Sequence, residues 1–341
     1  MPVPTRQLQF WEVRESAREV LTIETPDGWR LAVSSYSQPR SGGEVVLLCH
    51  GLASNRLTFD IDPRYSLAAH LAREGYEVYS LELRGHGLSR PPASSQGPVW
   101  GHGIAEHCEL DLPAVIDAVL ERSGQRALHY IGHSMGGIVL YGAHAVGAVD
   151  PGKIKSAIAI AASLDYSGTP SAFHKIVGLA PLSHAIPAVP AKFLLIPLAE
   201  LSRFFSWARL GSLVNHRNVE MNVYRRLLTL GIHPISSKVL RDLAGAINGR
   251  GMLSSQGRPY TELLEERGYD YPVLSMSGCA DLQCPHEASG RFGTHEQRFG
   301  RTYGHTHDYG HEDLIMGIHA ERETWPAIQG WLESNSPTGQ V

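Results

Sequence analysis

One serine of this chain stands between two glycines at the end of an apolar run, in Gly132-His133-Ser134-Met135-Gly136. A hydroxyl attacks an acyl carbon when a base takes its proton and donors hold the charge that develops on oxygen. Residues 128–131 read as a strand leading into the motif, and Gly137 onward as a helix leading out. In that setting G-x-S-x-G is a sharp strand-to-helix turn, with glycine at 132 and 136 because bulkier neighbours would collide with strand and helix. The turn presents Ser134 Oγ at the carboxyl end of a sheet. Met135 N–H, at the helix N-terminus, can face a developing oxyanion. The competing reading is an ordinary Gly-Ser turn.

A second donor is expected from His50-Gly51-Leu52, which follows the apolar run Val45–Cys49. Gly51 lets the backbone turn closely and Leu52 N–H supplies the bond; losing one such donor costs about 10²–10³ in rate. A plain strand-end turn is the alternative. A base and an orienting carboxylate complete the set, in the chain order nucleophile, acid, histidine. Asp281 lies in PVLSMSGCADLQCP and His311 in DYGHEDLIMG, each on a loop after a strand and on the same edge as Ser134. Asp165, after the run at 154–162, competes for the acid's place. His305 and His307 compete for the base's, but precede the loop expected to reach the site and read as strand-end or surface residues. Together with Asp308 they also invite a zinc reading. The H-x-H-x-D-H order of a binuclear hydrolase is not met, so no metal is expected.

These side chains need a frame. Glu19–Glu24 and residues 30–36 flank Pro26-Asp27-Gly28 and predict a leading hairpin. Val45–Cys49, residues 78–83, 127–131 and 154–162 predict strands, separated by helices at 63–74, 109–122 and from 137 onward. Such alternation predicts an α/β fold, a mostly parallel sheet with helices on both faces. From 163 to about 257 no comparable strand is expected, only short helices, including stretches at 220–230 and 234–247. The alternation resumes with a helix at Tyr260–Arg267, strands at 273–277 and 297–303, and a final helix around 325–332 whose start Pro326 obscures. The expected division is a first core part at 1–162, a helical cap at 163–257 and a second core part at 258–341.

The 341 residues are 43% hydrophobic and 19% charged, a composition that buries a large core and excludes a disordered chain. A net charge of −4 without basic runs argues against a nucleic-acid partner. Cys49 reads as a small buried hydrophobe. Cys279 and Cys284 are close enough to bridge, but composition favours free thiols. The first twenty residues lack a signal peptide's apolar segment, and no run reaches the ~18 apolar residues of a membrane span. The nearest, 177–201, is interrupted by Pro181, Pro187, Pro190 and Pro197. A cytoplasmic protein is the expectation.

LLCHGLASN, LELRGHGLS, YIGHSMGG, SGCAD and YGHEDLIMG together resemble an α/β-hydrolase of the esterase–lipase type. Longer phrases resemble its acid-lipase-like and polyhydroxyalkanoate-metabolising branches, which carry a long insertion after the sixth strand. The resemblance implies an eight-stranded sheet, an acyl-enzyme mechanism and no cofactor. The single HG-x signature resembles members that take larger apolar acyl groups. In the insertion Leu194, Leu198, Leu201 and Phe205 recur at helical spacing, with Phe204 and Trp207 beside them. The stripe packs a cap helix on the sheet edge, lines an acyl pocket, or does both; Leu194, Leu198 and Phe205 are the candidate substrate contacts. The expected partner is a small-molecule ester with an apolar acyl group. The sequence leaves the oligomeric state open. Thioesterase, amidase, lactonase or acyltransferase chemistry keeps the same triad, and a non-catalytic binder keeps the same fold. Epoxide and haloalkane hydrolysis need a carboxylate where Ser134 stands.

Overall fold

A computed structural model describes residues 13, 16–40, 42–96, 99–172, 174, 178, 185–193, 197 and 213–336. The chain enters through the hairpin β1 (Glu19–Glu24) and β2 (Arg30–Ser35). Trp29 N–H donates to Thr25 Oγ1 at 3.0 Å to close its turn. β3 (Val45–Cys49) has no solvent exposure at any residue, as a run of five apolar side chains facing helices on both sides requires. β4 (Glu77–Glu82), β5 (Leu128–His133) and β6 (Ile154–Ile160) follow. β7 (Ala188–Val189) and β8 (Ile235–Ser236) form a separate two-stranded ribbon. β9 (Val273–Gly278) and β10 (His295–Phe299) complete the main sheet.

That sheet has eight strands in the order β1-β2-β4-β3-β5-β6-β9-β10. β1–β2 and β2–β4 pair antiparallel, and every other pair is parallel. The carboxyl ends of β3, β5 and β9 therefore share one edge. The outermost strands are charged: β1 begins and ends with Glu, and β10 places Glu296 beside Arg298 at 2.7 Å.

The helices used below are α1 (Leu67–Arg73), α2 (Leu112–Ser123), α3 (Met135–Ala145), α4 (Met221–Arg226), α5 (Ser237–Ile247), α6 (Tyr260–Arg267), α7 (Asp313–Met316) and α8 (Ala320–Ser334). α2 and α6 pack on α3, while α1 and α7 pack on α8. α3 is buried along its whole length, so Gly137 and Gly142 are packing residues: a β-carbon at 142 would lie 2.5 Å from Cys108 Sγ.

The structure departs from the sequence expectations at several ends. The β7–β8 ribbon lies in the stretch expected to hold no comparable strand; two-residue strands leave no periodicity to read. Pro326 is inside α8, which starts six residues earlier at Ala320. The carbonyl that loses its donor is that of the exposed Arg322, which water can serve. All four cysteines are free. No helix among the described residues is long and apolar enough to cross a membrane.

Candidate active site

β5 runs into Ser134, whose backbone sits at φ 51°, ψ −114°. A non-glycine residue pays about 1–3 kcal/mol for such a conformation, so the surroundings must impose it. Ser134 N–H donates to Ile160 O at 2.8 Å, and Ser134 O accepts Gly137 N–H at 2.9 Å and Ile138 N–H at 3.2 Å. Tyr130 OH donates to Gly136 O at 2.8 Å from beneath. A β-carbon at Gly132 would lie 2.4 Å from Gly136 C, and one at Gly136 would lie 2.2 Å from Cys49 O. Both obstacles are backbone, so glycine is needed at each.

The loop after β3 meets this turn. A β-carbon at Gly51 would be 3.1 Å from Ser134 Cβ, so the turn that leads into Leu52 lies against the serine. His50 Nε2 accepts Leu83 N–H at 3.1 Å, so its Nδ1 carries the proton and donates to Gly51 O at 2.8 Å. Burial, assisted by His107, lowers the His50 pKa to about 4 and keeps this tautomer neutral. Met135 is the first residue of α3, so its N–H lies outside the helical ladder.

Asp281 and His311 meet at the same edge. His311 Nδ1 donates to Asp281 Oδ2 at 2.8 Å, and both residues are buried. Asp281 Oδ1 accepts Gln283 N–H at 2.7 Å and Cys284 N–H at 3.0 Å, so the carboxylate is oriented by its own loop. With Nδ1 committed, His311 Nε2 keeps a free lone pair. Burial works against a charged imidazole, but Asp281, by charge and hydrogen bond, and then Glu312 and Asp313, raise the His311 pKa above 6.5. Burial itself lifts Glu312 to about 7 and Asp313 to about 6.

The rival residues have other partners. Asp165 Oδ2 pairs with Arg291 at 2.8 Å, and its Oδ1 takes Ser167 N–H at 2.8 Å. His305 packs on Phe299 with ring centroids 4.7 Å apart, and His307 stacks on His319 at 3.6 Å. Among the described residues no three His, Cys, Asp or Glu side chains converge as metal ligands. Leu194, Leu198 and Phe205, with Leu201, Phe204 and Trp207, lie outside the described residues.

Sequence reasoning missed His133. Its Nε2 donates to His311 O at 3.2 Å, and the two rings are 4.7 Å apart. Burial and the nearby His311 hold the His133 pKa well below 6.5, so it stays a neutral donor. As the variable residue of G-x-S-x-G, separated from His311 by 178 positions, it carried no spacing signal.

Residues 44–315 match the family described as alpha/beta hydrolase fold. Gastric triacylglycerol lipase from Bos taurus is 30% identical over 182 residues, 50% of this chain and 45% of the lipase. Lipase member K from Homo sapiens is 31% identical over 173 residues, 47% of this chain and 43% of that protein. The chain thus spans less than half the length of these curated relatives. A solved esterase from Exiguobacterium antarcticum matches with a TM-score of 0.60 at 16% identity, over 92% of this chain and 100% of that one; this is a likeness of fold. The serine turn, the eight-stranded sheet and the match over residues 44–315 agree: the chain belongs to the α/β-hydrolase family.

Proposed function

We propose that the protein is a serine hydrolase that cleaves carboxylic esters with apolar acyl groups. Ser134 Oγ attacks the acyl carbon while His311 Nε2 takes its proton. Asp281 holds the imidazole in the tautomer that leaves Nε2 bare and stabilises the imidazolium. Leu52 N–H and Met135 N–H hold the oxyanion. The proton passes from His311 to the leaving alkoxide, giving an acyl-Ser134. Water, activated by His311, then attacks the acyl carbon and releases the acid and the serine.

The observation that carries this reading is the 2.8 Å Asp281–His311 hydrogen bond on the sheet edge that also bears the Ser134 turn. Triacylglycerol lipases among the relatives support an ester substrate. The 163–257 stretch, read as a cap, supplies apolar side chains suited to an acyl pocket.

A fluorophosphonate probe tests the nucleophile. Labelling is expected at Ser134 in folded protein, and Ser134→Ala is expected to lower turnover of an aryl ester by about 10⁴ or more. Folded protein left unlabelled at Ser134 would overturn the mechanism. A panel of ester, thioester and amide with matched acyl groups fixes the bond cleaved, and an acyl-length series fixes the pocket's reach.

A further inference from the structure

The insertion between β6 and β9 comes back to the core beside His311 through residues 213–218. Leu213 O accepts Glu312 N–H at 2.7 Å, and Asn218 O accepts Ile318 N–H at 2.7 Å. Asn215 N–H donates to Asp313 Oδ1 at 2.9 Å, and Asn215 Nδ2 donates to Asp308 O at 2.6 Å. The fully buried Asn218 uses one Nδ2 hydrogen on Asp308 O at 2.7 Å and the other on Asp313 Oδ2 at 2.9 Å. That oxygen also accepts Gly310 N–H at 3.0 Å. A β-carbon at Gly310 would lie 2.7 Å from Asn215 N and 3.0 Å from Val214 C, so this stretch lies flat against the residue preceding His311.

The backbone on both sides of His311 is therefore held from the insertion. On the far side Glu323 of α8 holds the approach to it, accepting Thr306 N–H at 2.7 Å, Thr306 Oγ1–H at 2.6 Å and Tyr309 OH at 2.6 Å. General-base catalysis needs the imidazole placed within about 0.5 Å of its productive geometry. A loop gains that precision from bonds to rigid neighbours, and here 213–218 supplies them alongside Ala280, whose N–H donates to Tyr309 O at 2.8 Å, and His133, whose Nε2 donates to His311 O at 3.2 Å.

We propose that residues 213–218 form a clasp that sets the orientation of His311, with Asn218 and Asp313 as positioning residues. The inference rests on the reading of His311 as the base. It makes displacement of residues 213–218 and displacement of the imidazole one event. Among the described residues Asn218 Oδ1 has no hydrogen-bond partner, so the amide's place in the clasp depends on its two donated bonds.

The isosteric Asn218→Asp removes both donors and sets a carboxylate against Asp313. Two readouts are taken on protein checked for folding by circular dichroism. One is kcat on a short aryl ester per site titrated with fluorophosphonate. The other is the His311 Nδ1–H proton resonance of the resting protein, assigned by its loss in His311→Ala. Asn218→Asp is expected to lower kcat by about 10–100-fold with KM within about twofold, because the loss is in placement. The acid limb of kcat/KM is expected to move to lower pH as Asp281 loosens its hold, and the resonance to broaden or move upfield. Asn215→Ala, at a partly exposed residue, is expected to act in the same direction by about threefold and serves if Asn218→Asp does not fold. A folded variant with unchanged kcat per titrated site and an unchanged His311 resonance overturns the clasp. If the parent protein neither cleaves esters nor labels at Ser134, the hydrolase reading fails, and the resonance alone still decides the clasp.

Discussion

Asp281 stands between two demands: its Oδ1 fixes its own loop through Gln283 and Cys284, and its Oδ2 fixes His311. Asp281→Asn leaves the shape nearly intact but offers an amide that can turn its N–H₂ toward the imidazole, favouring the wrong tautomer. It is expected to lower kcat by about 10³–10⁴ with little change in KM, read from steady-state kinetics on an aryl ester. The same change removes the main force raising the His311 pKa. The parent's acid limb is expected above pH 6.5, because the base must be neutral, and the variant's below the parent's. A variant whose limb stays in place would separate Asp281 from the imidazole's titration.

At the scale of elements, two glycines make opposite predictions. Gly136, second in α3, has a backbone carbonyl where a side chain would go, so Gly136→Ala is expected to cost stability and to abolish Ser134 labelling. Gly330 lies within α8 with nothing within 4 Å of its missing β-carbon, so Gly330→Ala is expected to stabilise by about 0.5–1 kcal/mol, read as a rise in Tm with labelling unchanged. Elements with a clear run or period were the ones legible beforehand. Val45–Cys49 and Tyr260–Arg267 were bounded correctly from apolar runs and helical spacing, and β5 only gained two residues past the expected end. The eight-stranded count came from the family resemblance and not from periodicity. Misreadings fell at α8 and the β7–β8 ribbon, where a proline or a two-residue pairing hides the pattern, and at the strand expected over 297–303, which is β10 at His295–Phe299 and gives way at Gly300 to a single 3-10 turn over Arg301–Tyr303. The pairing of Asp281 with His311 was legible because chain order and strand ends constrain both. His133, Asn215 and Asn218 were not, since their partners, backbone carbonyls and the Asp313 carboxylate, lie far along the chain.

For the molecule as a whole, histidines dominate the acid response. His50, His86, His102, His133 and His233 are buried, and burial lowers the pKa of each, to about 4 for His50, about 2 for His102 and about 3 for His233. An unfolded histidine titrates near 6.5, so below that pH the unfolded chain binds more protons, and stability falls at up to about 1.4 kcal/mol per pH unit for each. His311, Glu312 and Asp313 have raised pKa values and act in the opposite sense, favouring the folded state as the pH drops. His70, His129, His144 and His319 are also lowered and Asp242 is also raised, so nine lowered histidines outweigh four raised groups. The urea midpoint is expected to be highest near neutrality and to fall steadily from pH 6.5 to 4.5; a midpoint that rises over that interval would contradict the balance.

The charged margins of the sheet bear on how copies of this chain meet. An uncovered strand offers unpaired N–H and C=O groups to any neighbour, and charged side chains oppose that pairing. With Glu19 and Glu24 bounding β1 and the Glu296–Arg298 pair on β10, end-to-end sheet extension is disfavoured. Exchanging Glu296 and Arg298 for valine should therefore produce concentration-dependent light scattering that the parent lacks, and equal scattering from both would show that the side chains at this margin do not govern solubility.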